Sequence, residues 1–164
     1  MIGNAVQDAI NSQIQKELYS SYLYLAMAAS FEERSLAGLA KWMRLQADEE
    51  REHAMKFYDH LIDRGGRVSL MAIEAPKSEW PSSMEVFKEA QAHEAKVTAS
   101  IHSLYELAVK EKDYPAQVLL QWFITEQVEE EGNVAEIVAQ LELVEARASA
   151  ILFLDHRLGK RGGG

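Results

Sequence analysis

The sequence predicts an all-α protein: a four-helix bundle with one long crossover between helices two and three, plus a short fifth helix at the C-terminus. Three observations predict it. Apolar residues recur at spacings of three and four along four long stretches, two of the links between those stretches are short, and the third is long and broken by Gly and Pro. With 164 residues, 48% of them apolar, the chain fits a single domain over residues 1–164 and can bury a sizeable core.

The first helix is expected over about residues 4–32, where Val6, Ile10, Ile14 and Leu18, followed by Tyr22 and Leu25, keep helical spacing. The second is expected over 36–64, with Ser35 as N-cap, apolar positions at Leu39, Trp42, Met43, Met55, Tyr58 and Ile62, and Gly65-Gly66 as its stop. Residues 65–81, "GGRVSLMAIEAPKSEWP", are too interrupted for a helix and read as an extended crossover with a β-like piece at Arg67 to Leu70. Ser82 to Glu85 is S-x-x-E, a capping box, and opens a third helix over 83–110. Asp113-Tyr114-Pro115 opens a fourth over 114–143. The stretch 146–158 predicts the fifth helix, with Ile151, Leu154 and Leu158 on one side, and 160–164 is expected to be a loose tail.

Link lengths decide the packing. Helices joined by a few residues must form antiparallel hairpins, so the first pairs with the second and the third with the fourth. The crossover's seventeen residues span at most ~56 Å, whereas a 28-residue helix is ~42 Å long, so the crossover can run the whole bundle and leave helices two and three parallel.

Composition removes several function classes. Cysteine is absent, which excludes disulfides, thiolate metal sites and cysteine nucleophiles. The first twenty residues lack a basic region followed by an apolar one, and no apolar run approaches eighteen residues, so a cytoplasmic protein without membrane partners is expected. A formal charge of −9 argues against nonspecific nucleic-acid binding and suits attraction of cations.

The chemistry is carried by a polar layer. Glu50 and His53, one turn apart, share a helix face. In an antiparallel hairpin, residues equidistant from the turn lie level, which sets Glu17 opposite Glu50 and Glu94 opposite Gln127. An offset of 77 positions carries Glu17 to Glu94, Glu50 to Gln127, His53 to Glu130 and Glu49 to Glu126. A lone Glu-x-x-His pair is ordinarily solvated surface, and so is a run such as "QVEEEGN"; four polar positions matching four at one offset is what sets this layer apart. Buried together, Glu17, Glu50, Glu94 and Glu130 cannot remain bare anions, and cations would resolve the repulsion. Carboxylates with one imidazole suit iron, manganese or zinc, and a central Glu50 could bridge two ions. So many oxygens leave labile positions, favouring redox chemistry with dioxygen over a closed structural site. Glu49, Glu126 and Glu129, with Glu130 beside them, suggest a subsidiary oxygen-only site. Tyr24, two turns above Glu17, could donate its hydroxyl to a ligand carboxylate or act in electron transfer. Trp122 is expected in the core, shielding the layer. His60, His93, His102 and His156 lack a level carboxylate and read as surface or packing residues, and Met27, Met43 and Met55 as core.

Over nearly its whole length the chain resembles prokaryotic non-haem ferritins. The motifs are "QIQKELYSSYLYLAM" around Glu17, "WMRLQADEEREHAMKFYDHLIDRGGRV" around Glu50 and His53, "AHEAKV" around Glu94, and "LLQWFITEQVEEE" around Gln127 and Glu130. The resemblance implies a ferroxidase centre with Glu17, Glu50 and His53 on one iron and Glu94, Glu130 and the shared Glu50 on the other, Gln127 close by. It further implies a third iron site at Glu49, Glu126 and Glu129, a nearby Tyr24, oxidation of Fe(II) by dioxygen or peroxide, storage of ferric mineral, and a hollow homo-oligomeric shell, usually of 24 subunits. Bacterioferritins carry a haem-ligating Met directly after the helix-two Glu and a second Glu-x-x-His on helix four. Here those places hold Arg51, and Gln127 with Glu130, so no haem is expected. Two other functions remain open: a helical scaffold whose polar layer fixes register, and a di-manganese or di-iron peroxide-destroying enzyme without storage.

Overall fold

In the computed structural model, which describes residues 1–144 and 147–162, the chain forms α1 (Asn4–Glu33), α2 (Ala37–Asp63), α3 (Ser83–Lys110), α4 (Tyr114–Leu143) and α5 (Ala148–Leu158). The first three helices stop in the same way. After α1, Ser35 adopts the left-handed conformation (φ 59°); its N–H bonds to Glu32 O at 3.0 Å, and the Leu36 N–H reaches Phe31 O at 3.0 Å. That pair of bonds is a Schellman motif. Gly65-Gly66 closes α2 and Lys112-Asp113 closes α3 by the same pattern. Ser35 therefore terminates α1 rather than capping α2, because a residue held at positive φ cannot also take the extended conformation of an N-cap. Ser35 and Lys112 sit 77 positions apart, at equivalent places in the two hairpin turns.

Capping follows the sequence elsewhere. Ser82 Oγ accepts from the Glu85 N–H at 3.2 Å, and Asp113 Oδ1 accepts from the Ala116 N–H at 3.1 Å while Arg64 grips Asp113 at 2.8 and 3.2 Å. The N-terminus of α2 has no local cap. Its Leu39 N–H donates instead to Asp155 Oδ1 of α5 at 2.8 Å, a cap supplied from 116 residues away. The two helices approach through glycines: a β-carbon on Gly38 would lie 1.8 Å from Asp155 O, and one on Gly159 would lie 2.8 Å from Gly38 Cα.

Cross-helix hydrogen bonds fix the directions. Gln13 with Ser100 and Ser20 with His93 show residue numbers falling along α3 as they rise along α1, so the two run antiparallel. Since α1 also opposes α2, helices α2 and α3 are parallel, as the crossover length requires. The crossover climbs along α1 on a row of side-chain amides four residues apart. Gln7 Oε1 accepts from the Arg67 N–H, Asn11 bonds both Arg67 O and the Ser69 N–H, and Gln15 donates to Ala72 O, at 2.7 to 3.3 Å. The β-like piece at Arg67 to Leu70 thus pairs with side chains and forms no strand.

The apolar core lies in two clusters. One gathers Val6, Ile10 and Ile14 with Phe57, Ile101 and Leu120; the other gathers Met27 and Phe31 with Met43, Phe87 and Val138. Glu17, Glu50, Glu94, Gln127 and Glu130 fall between them in the sequence of their own helices. Tyr22, Leu25 and Ile62 are exposed, because the buried face of α1 runs through Leu23, Tyr24 and Met27 and that of α2 through Phe57 and Leu61. The loose tail expected from position 160 is not seen at Arg161, which is bonded to α2; residues 163–164 lie outside the described residues, as does residue 146 at the expected start of α5.

Candidate metal centre

Each of the four long helices contributes a buried acidic or amide side chain to one level. Glu17, Glu50, His53, Glu94, Gln127 and Glu130 are all at most 4% exposed. Among the described residues, two triplets hold ligating atoms within 4.8 Å of one another: Glu17, Glu50 and His53, and His53, Glu126 and Glu130. The imidazole joins them, its Nδ1 lying 3.4 Å from Glu50 Oε2 and its Nε2 3.8 Å from Glu126 Oε1. Trp122 and Phe123 hold the ring edge-on, with centroids 5.5 and 5.8 Å away.

The hydrogen bonding is uneven. Gln13 Nε2 donates to Glu17 Oε1 at 2.7 Å, and Gln46 Nε2 donates to Glu130 Oε2 at 2.5 Å. Both oxygens of Glu94 are taken, Oε1 by the Tyr24 hydroxyl and Oε2 by Gln127 Nε2 at 3.1 Å; that amide also donates to Thr98 Oγ1 at 3.1 Å. By contrast Glu17 Oε2 and both oxygens of Glu50 are buried without any hydrogen-bond partner. Buried acceptors are nearly always paired, and no amide or hydroxyl of the protein reaches these three carboxylate oxygens, so a proton shared between the carboxyls or a bound cation is what can satisfy them.

Burial dominates the electrostatics. It pushes Glu17 up to about 7 and Glu130 up to about 8. Glu50 is raised well above the carboxylate range by burial and then by the charges of Glu94 and Glu17; Glu94 is also raised by burial. The same desolvation, with Lys56 nearby, lowers His53 to about 4, leaving a neutral imidazole with a free lone pair. Protons at neutral pH therefore occupy positions that divalent cations could take, and an oxygen-rich set with one nitrogen suits iron, manganese or zinc.

The expected residues are not all equally close. Glu94 belongs to neither triplet, since Tyr24 and Gln127 hold its oxygens. Glu126 stands beside His53, and burial with the charges of Glu129 and Glu49 raises its pKa. Glu49 is engaged elsewhere, ion-paired with Arg161 at 2.7 Å. Tyr24 is fully buried and touches Glu94, which is the hydroxyl-to-carboxylate contact its spacing suggested. Trp122 departs from expectation: it is 40% exposed, packing one edge on His53 while Lys56 covers its ring at 4.5 Å. His93 packs between Tyr19 and Tyr24 and bonds Ser20 at 2.7 Å, a packing role. Sequence reasoning missed Gln13 and Gln46, the amides that hold Glu17 and Glu130. For Gln13 the available signal was spacing, four residues before Glu17 on the same helix, whereas Gln46 stands four before Glu50 but reaches across to Glu130 of α4.

Carboxylates, an imidazole and amides meeting inside a four-helix bundle with a single long crossover form a candidate metal-binding layer in a ferritin-like topology. The chain belongs to the ferritin-like family, whose domain model matches residues 7–144. It is 38% identical over 161 residues to a bacterial non-heme ferritin of Bacteroides fragilis, covering 98% of this chain and all of that one. To a bacterial non-heme ferritin of Staphylococcus saprophyticus it is 37% identical, covering 98% and 96% of the two chains. Among solved structures it is similar to the open pore ferritin of the hyperthermophilic archaeon Archaeoglobus fulgidus, with TM-score 0.97, 46% identity and coverage of 98% and 99%. A closed form engineered from that ferritin matches with the same TM-score and identity. No helix among the described residues is long and apolar enough to cross a membrane.

Proposed function

We propose that the chain stores and detoxifies iron as a cytoplasmic ferroxidase. Each subunit binds two Fe(II) as substrate, Glu17, Glu50 and His53 taking one and Glu94, Glu130 and the shared Glu50 the other, with Gln127 alongside. Dioxygen or peroxide is the oxidant, and the ferric product passes to a mineral inside a hollow homo-oligomeric shell of 24 subunits. Glu49, Glu126 and Glu129 form a third site that handles iron on its way to the mineral. The centre is non-haem, in keeping with Arg51 directly after Glu50.

The observation that carries this reading is the set of orphaned oxygens on Glu17 and Glu50 facing a neutral His53. A polar layer that served only to fix bundle register would be stabilised by amide or hydroxyl donors to each of its groups, and none reaches the central carboxylate here. Iron supplies the electrons; the protein supplies position and proton accounting. Gln13 and Gln46 hold Glu17 and Glu130 in fixed rotamers, Tyr24 and Gln127 orient Glu94, and Trp122 with Phe123 keeps the imidazole edge toward the carboxylates. The protons that burial retains on Glu17, Glu50 and Glu130 leave as the cations arrive. The unequal donor sets, one with imidazole and one with oxygen only, favour tighter retention at the first site and easier passage from the second.

An anaerobic Fe(II) titration of metal-free protein, followed by an air pulse with absorbance and dioxygen recorded, tests it. The expected result is a fast phase saturating at two irons per chain, then slower continued uptake. Saturation at two with no further uptake would replace storage by a simple di-metal enzyme, and no stoichiometric binding would return the layer to a structural role.

A further inference from the structure

Arg161, three residues beyond the end of α5, reaches back across α2 toward the acidic level. Its guanidinium stacks on Trp42 with 4.7 Å between guanidinium carbon and ring centroid, and it donates to Trp42 O at 3.4 Å. One amino group donates to Gln46 Oε1 at 2.9 Å and the other to Glu49 Oε2 at 2.7 Å. Gln46 is fully buried, and with its carbonyl facing Arg161 its amide N–H points at Glu130 Oε2, 2.5 Å away. A single side chain of the C-terminal turn thus holds a carboxylate of the third site and fixes the polarity of the amide that holds a carboxylate of the metal centre.

We infer that Arg161 is the resident counter-cation of the third site, and that a divalent cation entering there displaces it from Glu49 and frees the C-terminal turn from α2. This rests on the third-site assignment of Glu49, Glu126 and Glu129. Arg161 holds Glu49 through Oε2, so a cation that takes both oxygens of Glu49 must turn the guanidinium out, and the crowding of like charge that Glu126 feels from Glu49 and Glu129 is what draws the cation in. Displacement is feasible because the pair is only partly buried, with side chains 23% and 44% exposed, and ion pairs of that kind hold weakly. Release of Arg161 also leaves the Gln46 carbonyl without its donor, so occupation of the third site loosens the grip on Glu130. Iron at the outer position then eases departure of iron from the centre.

The test titrates metal-free cages with Zn(II), a redox-inert probe, in wild type, Arg161→Gln and Arg161→Lys, with Glu129→Gln identifying the third equivalent as the one it removes. Hydrogen exchange of the peptide covering residues 157–164 is followed at each loading. The third Zn(II) should bind up to about fivefold more tightly in Arg161→Gln, the conversion of a partly exposed ion pair, and within about twofold of wild type in Arg161→Lys. In wild type, exchange near Arg161 should accelerate at the third equivalent and not at the first two; this measurement stands even if Arg161→Gln assembles poorly. A wild type that stops at two ions while Arg161→Gln takes a third supports the inference in its strongest form. A third equivalent bound with equal affinity in both, without faster exchange, overturns the role of Arg161 while sparing the site. Two equivalents in both chains overturn the third-site assignment and the inference with it.

Discussion

Filling the centre with divalent cations should expel protons, and burial sets the number. At pH 7 a carboxyl titrating at about 7 is about half protonated and one at about 8 is about nine-tenths protonated, so Glu17 and Glu130 together give up between one and two protons per chain. Glu50, raised well above the ordinary range, adds to that figure. The neutral His53 contributes none. By pH 9 Glu17 and Glu130 are about nine-tenths ionised or more and their share nearly vanishes, while apparent metal affinity climbs steadily between pH 6 and pH 8. Isothermal titration of Zn(II) into the metal-free protein, in buffers of different ionisation enthalpy at fixed pH, gives the released protons as a slope. A slope under about half a proton at pH 7, or one that grows with pH, would refute the account, since it would mean the buried carboxylates are already ionised before any cation arrives.

Other consequences follow from the same geometry. Glu50→Ala removes the central carboxylate and should abolish the fast phase of iron oxidation while circular dichroism and shell size stay unchanged; an unaltered initial rate would exclude the centre. Glu129→Gln should spare the first burst of oxidation but slow every turnover after two irons per chain, read by repeated stopped-flow additions. Glu17→Gln should stabilise the metal-free protein at pH 8, because Glu17 binds more protons folded than unfolded, so its contribution is lost as pH rises from about 4.5 to about 7. The gain above pH 7 is at most about 3 kcal/mol and should be absent at pH 4, as seen in denaturant midpoints. Gly38→Ala drives a β-carbon to within 1.8 Å of Asp155 O, a backbone atom that no rotamer change can move, so α5 must shift and α2 must lose its cap. The cost should reach about 2 kcal/mol or more, measured as a lower Tm and faster exchange of the Leu39 amide.

The helices and the polar layer were legible because both rest on periodicity. Helical spacing places Glu50 over His53, short links level Glu17 with Glu50, and the offset of 77 that relates the two hairpins recurs in the paired turns at Ser35 and Lys112. The features that were not legible depend on where distant segments meet. Asp155 caps a helix that starts 116 residues earlier, and nothing local distinguishes it from a surface aspartate. Gln13 and Gln46 look like solvated amides until the neighbouring helices bury them. Trp122 keeps an apolar helical spacing yet stands 40% exposed, because it covers His53 from the rim of the bundle and not from its interior. Ser35 carries a residue type that favours a cap, but the backbone spent it on stopping the preceding helix.

The glycine-lined contact between α2 and α5 has an implication for assembly. Gly38 and Gly159 leave room for one docking pose, and in that pose the last helix supplies the hydrogen bond that keeps the first turn of α2 wound. Any neighbouring subunit that tugs α5 toward itself would therefore fray the start of the helix bearing Glu49, Glu50 and His53, while one that presses α5 home would stiffen it. The terminal helix is thus tied to the start of the helix that carries Glu49, Glu50 and His53, so a pull on one end of that contact is felt at the other.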